Sequence, residues 1–557
     1  MPDPDSATAP APSPDNSAAL PAATLQGLLD HTGVREFIIC AGARNSALLV
    51  LLAAIPGLRL WHHFEERSAA FFALGRIMDH ENPVAVITTS GTAAAELLPA
   101  VIEAHYQGLP LIALTADRPA HYRKTGAPQA IEQEAIFGPY PSLTIDLSVP
   151  QQTAVRLAGL ASWDRRAPLH VNLCLEEPSA ADLPPLRLAG SRIRIPDNAE
   201  LALSRPKSSD DDPSGNPPAA SPITHSSLIL VGDLLSSEIP VVAAWLETLP
   251  CPIHAEAASG LRESPALASR LLRGGDEILA KIPHESVIRI GGVPSCRFWR
   301  DLELNPNIPV THFTRSGHPG LARPSVVRPI GDLPFFTLEP SHGAVSVKDP
   351  PSHYPIAGTT LTSCLEAHPA SEPALIRQLS RLIPAGAVVF TGNSLAIRQW
   401  NLCAAPAQPC HARALRGANG IDGNLSAFLG LAADAGEAWC LVGDLTALYD
   451  PAALWMVAQL DIPRLRIVII QNAGGKIFSQ LPSLAGLTAF EKQLMENPHG
   501  ISFEGWARQW GLEHRTIHEP KSGLTNLPPR AVIELHPRAE ATQQFRQAWQ
   551  AANRALP

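Results

Sequence analysis

Two polar segments in the last third of the chain have the residue types and the spacing of a divalent-cation site. Gly443-Asp444 follows the apolar run WCLV, and the segment QNAGG at 471–475 follows the apolar run RIVII. This separation fits one βαβ unit, which places both strand ends at the same edge of a parallel sheet. A carboxylate from Asp444, an amide oxygen from Asn472 and a backbone carbonyl would suit Mg²⁺ and leave room for diphosphate oxygens and water. The alternative is an ordinary turn Asp and turn Asn in a Rossmann-like sheet.

The spacing of these segments resembles the fingerprint of thiamine-diphosphate enzymes, in which G-D is followed at a set distance by N. That coenzyme also needs a carboxyl group that shares a proton with its aminopyrimidine ring and is desolvated enough to hold this proton near neutral pH. The segment WHHFEERSAAFFALG at 61–75 offers such a group among apolar neighbours, at a predicted strand-to-helix junction. We predict that Glu66 is this group and keep Glu65 as the alternative. A carboxylate at a helix N-terminus is also favoured by the helix dipole alone.

The elements that would position these residues follow one repeated pattern of an apolar run, a Gly-containing turn and a stretch with helical periodicity. The apolar runs lie at 37–40, 84–87, 111–115, 227–231, 286–290, 388–390, 439–442 and 466–470. Apolar strands that alternate with helices indicate parallel sheets covered on both faces. The sequence therefore predicts an α/β protein with three doubly wound, mainly parallel sheets.

Composition marks the boundaries between these blocks. The Pro-, Ser- and Asp-rich stretch at 205–222 and the segment DPPSHYP at 349–355 are typical of linkers. We predict a disordered tail at 1–15, followed by a pyrimidine-binding domain at 16–200, which carries the glutamate. A flexible linker at 201–222 leads to a central domain at 223–360. The last predicted domain, at 361–557, binds the diphosphate and the metal.

Charge and cysteine content narrow the class of protein. The formal net charge of −9 argues against a nucleic-acid partner, which requires clustered positive charge. The eight cysteines are scattered, as expected for reduced thiols in the cytoplasm. The acidic, Pro-rich N-terminus lacks the pattern of a signal peptide, and the longest apolar stretch, at 46–58, is too short to span a bilayer. We expect a cytoplasmic enzyme without a membrane span.

Several longer segments resemble a single family, the 2-succinyl-5-enolpyruvyl-6-hydroxy-3-cyclohexene-1-carboxylate synthases, which are thiamine-diphosphate enzymes of menaquinone biosynthesis. These segments are TSGTA at 89–93, LTADRP at 114–119, GNSLAIR at 392–398, RGANGIDG at 416–423, GDLTALYD at 443–450 and GGKIFSQLP at 474–482. The resemblance covers both outer domains almost completely and the central domain only weakly. It implies decarboxylation of 2-oxoglutarate and addition of the succinyl carbanion to isochorismate, with thiamine diphosphate and Mg²⁺ or Mn²⁺ as cofactors.

The resemblance also assigns roles at the matching positions. It implies that Glu66 is the catalytic residue and that Asp444, Asn472 and the Gly474 carbonyl bind the metal. Further contacts to the coenzyme are implied for Ser90, Gly91, Thr92, Ile421, Ile477 and Phe478. Substrate contacts are implied for Arg44, Arg118, Gln129, Ser394, Arg398, Arg416, Phe478 and Leu481, with Arg297 as a candidate from the central domain. Both substrates are dianions, so arginines would line the pocket of an otherwise acidic protein.

Assembly follows from the same resemblance. The glutamate-bearing domain of one subunit faces the diphosphate-binding domain of another in this class, which implies a homodimer or homotetramer with active sites at the subunit interface.

Three positions depart from the family pattern. Ala43 stands where the family has Ser before Arg44, Pro128 replaces an Asn in GAPQ at 126–129, and QNAGG replaces N-N-N-G-G. Two of these changes fall where isochorismate should bind, which keeps open a thiamine-diphosphate-dependent 2-oxoacid decarboxylase or carboligase with another acceptor. A non-catalytic binding relative is the other alternative. A dinucleotide-binding dehydrogenase is disfavoured, because no predicted strand leads into G-x-G-x-x-G.

Overall fold

The computed structural model describes residues 19–176, 223–224, 226–337, 353–518 and 524–555. The predicted tail at 1–15 and the predicted linker at 201–222 lie outside these residues. The chain divides into two compact units. The first comprises Met1–Ala73, Asn82–Val101 and Pro110–Ile195, and the second comprises Leu74–Glu81, Ile102–Leu109 and Pro196–Pro557. The predicted domain boundaries near residues 200 and 360 stay predictions.

Among its described residues, the first unit contains a six-stranded sheet with the strand order β2-β1-β3-β4-β6-β5. The strands are β1 (Glu36–Ile39), β2 (Arg59–His62), β3 (Val84–Thr88), β4 (Leu111–Asp117), β5 (Leu143–Leu147) and β6 (Leu169–Cys174). The helices of this part of the chain are α1 (Ala19–His31), α2 (Ser46–Ala53), α3 (Glu66–His80), α4 (Thr92–Ala95), α5 (Leu98–Gln107) and α6 (Thr153–Ala158). The strands pair in parallel, so their carboxyl ends share one edge.

The second unit contains a five-stranded sheet in the central part of the chain, with the order β11-β10-β9-β7-β8 over the residues described there. Its strands are β7 (Ser227–Val231), β8 (Ile253–Ala255), β9 (Ser286–Ile290), β10 (Val310–Thr314) and β11 (Val326–Pro329). The helices between them are α7 (Ile239–Glu247), α8 (Asp276–Leu279) and α9 (Phe298–Asp301). These strands also pair in parallel.

The last sheet of the second unit has the order β13-β12-β14-β15-β17-β16, again counted over described residues. Its strands are β12 (Val388–Thr391), β13 (Ala412–Arg413), β14 (Glu437–Gly443), β15 (Arg464–Ile470), β16 (Glu513–Ile517) and β17 (Arg530–Leu535). The helices are α10 (His353–Ala367), α11 (Glu372–Ser380), α12 (Leu395–Cys403), α13 (Asn424–Leu431), α14 (Asp444–Tyr449), α15 (Ala489–Glu496), α16 (Glu504–Gln509) and α17 (Ala539–Ala555).

Burial explains why these runs become parallel strands. The side chains of β3, β4, β7, β9 and β10 are buried along their whole length, as expected when helices cover both faces of a sheet. One continuous cluster of buried apolar side chains in the second unit includes Val287 of β9, Val468 of β15 and Trp400 of α12. The predicted α/β class with three mainly parallel sheets is confirmed. In the part of the chain that the structure describes, no helix has both the length and the apolar character that crossing a bilayer requires.

Gly75 in α3 allows a close approach between two helices of the second unit. A Cβ atom at Gly75 would lie 1.9 Å from the carbonyl oxygen of Ala427 in α13. The adjacent Arg76 is buried and donates a hydrogen bond to the carbonyl oxygen of Gly430 at 3.1 Å. Residues 74–81 are therefore fixed to α13 by backbone contact and by a buried guanidinium.

Replacement of Gly75 by alanine should destabilise the protein by about 1–3 kcal/mol, because the backbone of α13 cannot move aside as a flexible side chain could. The matched control is Gly358→Ala in α10, where an added Cβ would meet no atom within 4 Å. That substitution should raise stability by up to about 1 kcal/mol through helix propensity. Thermal unfolding followed by circular dichroism measures both effects, and an unchanged melting temperature for Gly75→Ala would contradict the close packing.

Candidate active site

Asp444 and the segment 471–475 leave the last sheet side by side, at its carboxyl edge. Strands β14 and β15 pair in parallel with Gly443 opposite Ile470. The Oδ2 atom of Asp444 accepts a hydrogen bond from the Gly474 N–H at 2.9 Å, and its Oδ1 atom accepts one from the Leu445 N–H at 2.7 Å. A carboxylate has about four lone-pair sites, so Asp444 can accept these two hydrogen bonds and still bind a cation.

The side chain of Asn472 is oriented by a buried carboxyl group. Its Nδ2 atom donates a hydrogen bond to the Oε2 atom of Glu372 at 3.0 Å. Its Oδ1 atom is buried and has no hydrogen-bond partner among the described residues. A buried amide oxygen without a hydrogen-bond partner lowers the stability of a folded protein and is rare in native structures. This oxygen therefore has a lone pair available for a bound group, and amide oxygens are common ligands of hard metal ions.

The backbone of this segment takes conformations that depend on glycine. Gly474 has a φ of 118°, and a Cβ atom there would lie 2.3 Å from the carbonyl oxygen of Glu496. Ala473 also has a positive φ, of 61°. The carbonyl oxygen of Gly474 accepts a hydrogen bond from the Lys476 N–H at 2.8 Å and, like other carbonyls, has a second lone pair. The segment thus forms a compact turn beside Asp444.

A cavity of about 150 Å³ lies among these groups in the second unit. Its lining includes Glu372, Asn393, Ser394, Ile421, Asp444, Asn472, Gly474, Ile477 and Phe478. A carboxylate, an amide oxygen and a backbone carbonyl form the oxygen donor set that Mg²⁺ binds together with phosphate oxygens. The residues present therefore fit a metal-bound diphosphate, and the apolar Ile421, Ile477 and Phe478 fit the organic part of a coenzyme.

Burial dominates the electrostatics of both carboxyl groups in this cavity. Burial raises the pKa of Asp444, while hydrogen bonds from the Gly474 and Leu445 N–H groups and the nearby His499 lower it. The Nε2 atom of His499 lies 3.4 Å from the Asp444 Oδ2 atom. Burial also raises the pKa of Glu372 to about 7, and the negative charge of Asp444 contributes to this increase. Two carboxyl groups in one buried space favour a bound cation.

A second group of residues holds Arg416 near this cavity. Its Nη1 atom donates to the Oδ1 atom of Asn393 at 2.9 Å, and Asn393 in turn donates to the Gly420 carbonyl oxygen at 2.7 Å. Both oxygens of Glu103 accept from the loop that follows Arg416, with the Gly417 and Ala418 N–H groups each at 2.7 Å. Burial raises the pKa of Glu103, whereas these N–H groups and Arg416 lower it. Glu103 is thus the anchor of the Arg416 loop.

Ser394 and Arg398 lie at the start of α12. Ser394 precedes the helix with a φ of 67°, and its carbonyl oxygen accepts a hydrogen bond from Arg398 Nη1 at 2.6 Å. Arg398 lines a further cavity of about 470 Å³ together with Arg297 and Arg546. Asp301, whose Oδ1 atom lies 3.5 Å from the Arg297 Nε atom, also lines this cavity. The lining still carries more positive than negative side chains, which would suit a carboxylate ligand.

Leu481 is placed differently from the other residues assigned to this segment. It is 38% exposed and directly follows the short 3₁₀ turn Phe478–Gln480. Its neighbour Gln480 lines the same cavity as Arg398.

In the first unit, the structure distinguishes Glu65 from Glu66. The Oε1 atom of Glu65 accepts from the Arg67 N–H at 3.1 Å, and its Oε2 atom accepts from the Ser68 N–H at 3.0 Å and from the Ser68 hydroxyl. Glu65 therefore caps the N-terminus of α3, which is a structural role. Burial, with smaller contributions from Glu65 and Glu96, raises the pKa of Glu66. Glu66 is the carboxyl group suited to holding a proton.

The other residues assigned in the first unit follow strands that lie next to one another. Arg44 follows β1, the segment 90–92 follows β3 and Arg118 follows β4, while Glu66 follows β2. Ligands bind outside the carboxyl ends of strands in open α/β sheets. Gln129 has a positive φ of 58°, and its Cα atom lies 3.2 Å from the position of a Cβ added to Gly91. These residues are therefore gathered at one edge of the first sheet.

Arg44 and Gly91 make hydrogen bonds within the first unit, whereas Ser90 and Arg118 have buried polar atoms that could bind a ligand. Arg44 is buried and donates to the Leu175 carbonyl oxygen at 3.0 Å. The Gly91 N–H donates to the Gln133 Oε1 atom at 2.8 Å. The Ser90 hydroxyl and the Arg118 Nε atom are buried and have no hydrogen-bond partner within the described ranges.

Sequence reasoning missed Glu103, Glu372 and Arg546. Glu103 and Arg546 lie inside helices, where a charged residue normally faces solvent, so their types gave no signal. Glu372 follows Ser371 in the segment SEPA, a pattern that is typical of a helix N-terminus and does not by itself indicate a site. Only the packing of distant segments brings Glu372 and Arg546 to the cavities and Glu103 to the loop after Arg416.

Comparison with known proteins identifies relatives of this chain. A family model described as thiamine pyrophosphate enzyme, N-terminal TPP binding domain, matches residues 22–136, which include Glu66. A 2-succinyl-5-enolpyruvyl-6-hydroxy-3-cyclohexene-1-carboxylate synthase of Bdellovibrio bacteriovorus is 40% identical over 542 residues, covering 94% of this chain and 97% of the relative.

Two other relatives carry the same name. The protein of Akkermansia muciniphila is 40% identical over 548 residues, covering 94% of this chain and 98% of its own. The protein of Chloroflexus aurantiacus is 33% identical and covers 85% of each chain. Identity at this level extends through both compact units rather than through the matched N-terminal domain alone. The chain therefore belongs to the 2-succinyl-5-enolpyruvyl-6-hydroxy-3-cyclohexene-1-carboxylate synthase family of thiamine-diphosphate-dependent enzymes.

Proposed function

We propose that this chain decarboxylates 2-oxoglutarate and adds the resulting succinyl unit to isochorismate, giving 2-succinyl-5-enolpyruvyl-6-hydroxy-3-cyclohexene-1-carboxylate for menaquinone biosynthesis. The observation that carries the proposal is the 40% identity, over 94% of the chain, to relatives that bear this synthase's name. When bound, thiamine diphosphate supplies the group that accepts the electron pair released on decarboxylation and makes the carbonyl carbon nucleophilic.

Asp444, Asn472 and the Gly474 carbonyl would hold Mg²⁺ or Mn²⁺ together with the diphosphate. Their support is the buried donor set of the 150 Å³ cavity, which includes the unpartnered amide oxygen of Asn472. Further coenzyme contacts would come from side chains and backbone at the edges of two sheets. These are Ser90, Gly91, Thr92, Ile421, Ile477 and Phe478.

Glu66 would share a proton with a ring nitrogen of the coenzyme. A carboxyl group does this near neutral pH only if its pKa is raised, because an ordinary glutamate has lost its proton by then. Burial and two neighbouring carboxylates act in that direction on Glu66. Glu65 is already engaged as the cap of α3 and would take no part.

Positive and polar side chains would bind the dianionic substrates. In the second unit these are Ser394, Arg398 and Arg416, with Phe478 and Leu481 shaping the pocket; in the first unit they are Arg44, Arg118 and Gln129. The cavity shared by Arg297, Arg398 and Arg546 supports an anion site around Arg398. Arginine suits this task because its planar fork pairs with carboxylates through two hydrogen bonds.

The assembly that we propose is a homodimer or homotetramer in the cytoplasm. Its active sites would lie at subunit interfaces, with Glu66 from one subunit and Asp444 from another. The family resemblance supports the assembly and the interfacial position of the active sites, since other enzymes of this class combine their two cofactor-binding domains across subunits.

The test of the whole proposal is an assay with thiamine diphosphate, Mg²⁺, 2-oxoglutarate and isochorismate. We expect loss of isochorismate and release of CO₂ in equal amounts, with the adduct identified by mass spectrometry. Omission of the coenzyme is the control. Decarboxylation without loss of isochorismate would reject this acceptor, and an absence of both would reject the reaction.

Replacement of Glu66 by glutamine should lower the decarboxylation rate by about 10²–10⁴-fold, because a carboxamide cannot exchange the proton. Coenzyme binding, measured by isothermal titration calorimetry, should remain. Glu65→Gln is the matched control, which should lower stability by about 1 kcal/mol through the weakened cap and keep most of the activity. A Glu65→Gln enzyme that is inactive beside an active Glu66→Gln enzyme would reverse the assignment.

Replacement of Glu103 by alanine should raise the KM for one anionic substrate by about tenfold or more, because the loop after Arg416 loses both of its acceptors and the guanidinium moves. Steady-state kinetics with each substrate varied in turn measures the effect. Arg416→Ala should raise the KM for the same substrate. A Glu103→Ala enzyme with a lower melting temperature and normal kinetic constants would show that the anchor serves stability alone.

A further inference from the structure

The amide of Asn472 can take two orientations that differ little in shape. The nitrogen and oxygen atoms of an Asn side chain exchange places when the amide turns by half a rotation. Only one orientation presents the oxygen to a cation, whereas the other presents two N–H donors. The orientation in the structure gives the Nδ2 atom to Glu372 and leaves the Oδ1 atom as an acceptor. Contacts rather than shape must therefore select it.

Glu372 is the contact that distinguishes the two orientations. In its ionised form Glu372 only accepts hydrogen bonds and repels another oxygen, so it favours the Nδ2 atom over the Oδ1 atom. Glu372 is only 3% exposed, and it lines the same cavity as Asn472 and Asp444. Water does not weaken the preference in such a site, because polar interactions are stronger at low local dielectric.

The position of Glu372 is itself fixed by its surroundings. It is the first residue of α11, and the preceding Ser371 caps this helix by accepting the Ala374 N–H at 3.4 Å. The N–H group of Glu372 donates to the Thr542 hydroxyl of α17 at 3.0 Å. Two helices therefore hold the backbone from which the carboxyl group reaches Asn472.

We propose that Glu372 is a positioning residue that holds the Asn472 amide with its oxygen turned toward the metal ion. This inference rests on the proposed function, in which Asn472 is a metal ligand. Glu372 acts through Asn472 rather than on the metal. Its effect should therefore disappear when the amide is removed.

The test measures the affinity for Mn²⁺ in the presence of saturating thiamine diphosphate, with free Mn²⁺ followed by electron paramagnetic resonance. Glu372→Ala should weaken Mn²⁺ binding by about 10–100-fold, as is usual when the residue that orients a metal ligand is removed. Glu372→Gln should weaken it less, because its amide oxygen can still accept from Asn472. In an Asn472→Ala background, Glu372→Ala should cause no further loss.

Three comparisons make the outcome decisive. Glu437→Gln, at the amino end of β14, is the matched control and should leave Mn²⁺ affinity unchanged. Asp444→Ala should abolish binding, and an unchanged affinity in that variant would reject the proposed metal site, whereas the substrate assay tests the reaction itself. If Asp444→Ala abolishes binding while Glu372→Ala keeps normal affinity, the positioning role alone is wrong.

An equal loss with and without the Asn472 amide would also overturn the inference, because Glu372 would then act on the metal directly. Circular dichroism establishes that each variant is folded. If Glu372→Ala does not fold, Glu372→Met, which keeps a similar volume but has no strong hydrogen-bond acceptor, decides the question. An unchanged Mn²⁺ affinity in that variant would overturn the inference.

Discussion

The candidate site depends on one constraint, the in-register parallel pairing of β14 with β15. Because Gly443 lies opposite Ile470, the two strands end together and the next residues meet at one edge of the sheet. A register shift by one residue would turn every side chain of a strand to the opposite face and would move Asp444 away from the Gly474 N–H. The apolar side chains of both strands, buried between helices, fix that register.

Two buried carboxyl groups of the second unit are held by backbone N–H groups. Asp444 accepts from Leu445 and Gly474, and Glu103 accepts from Gly417 and Ala418. Burying a charge without such partners would cost several kcal/mol, as a rough figure. The hydrogen bonds offset that cost and also fix the loops that donate them. The same interactions therefore stabilise the fold and position the polar groups of the cavity.

Two strained backbone positions of the second unit lie at the same cavity. Ser394 and Ala473 have positive φ angles although neither is glycine, and Gly474 lies where a Cβ atom would meet backbone. Such conformations are tolerated when the surrounding structure determines them, and they often occur at ligand sites. Here they bring the start of α12 and the turn after β15 to a common space, which a relaxed backbone would not do.

The sequence by itself determined the α/β class, the strands that precede Asp444 and Asn472, and the family. Apolar runs bounded by glycine have a local pattern, and Asp444 and Asn472 follow such runs directly, so their meeting could be predicted from chain direction alone. Glu65 and Glu66 could not be separated in this way, because adjacent carboxylates look alike until a helix N-terminus engages one of them. Only the tertiary structure shows that Glu372 contacts Asn472. The two residues are distant along the chain, and no local pattern specifies which helix end will pack against Asn472.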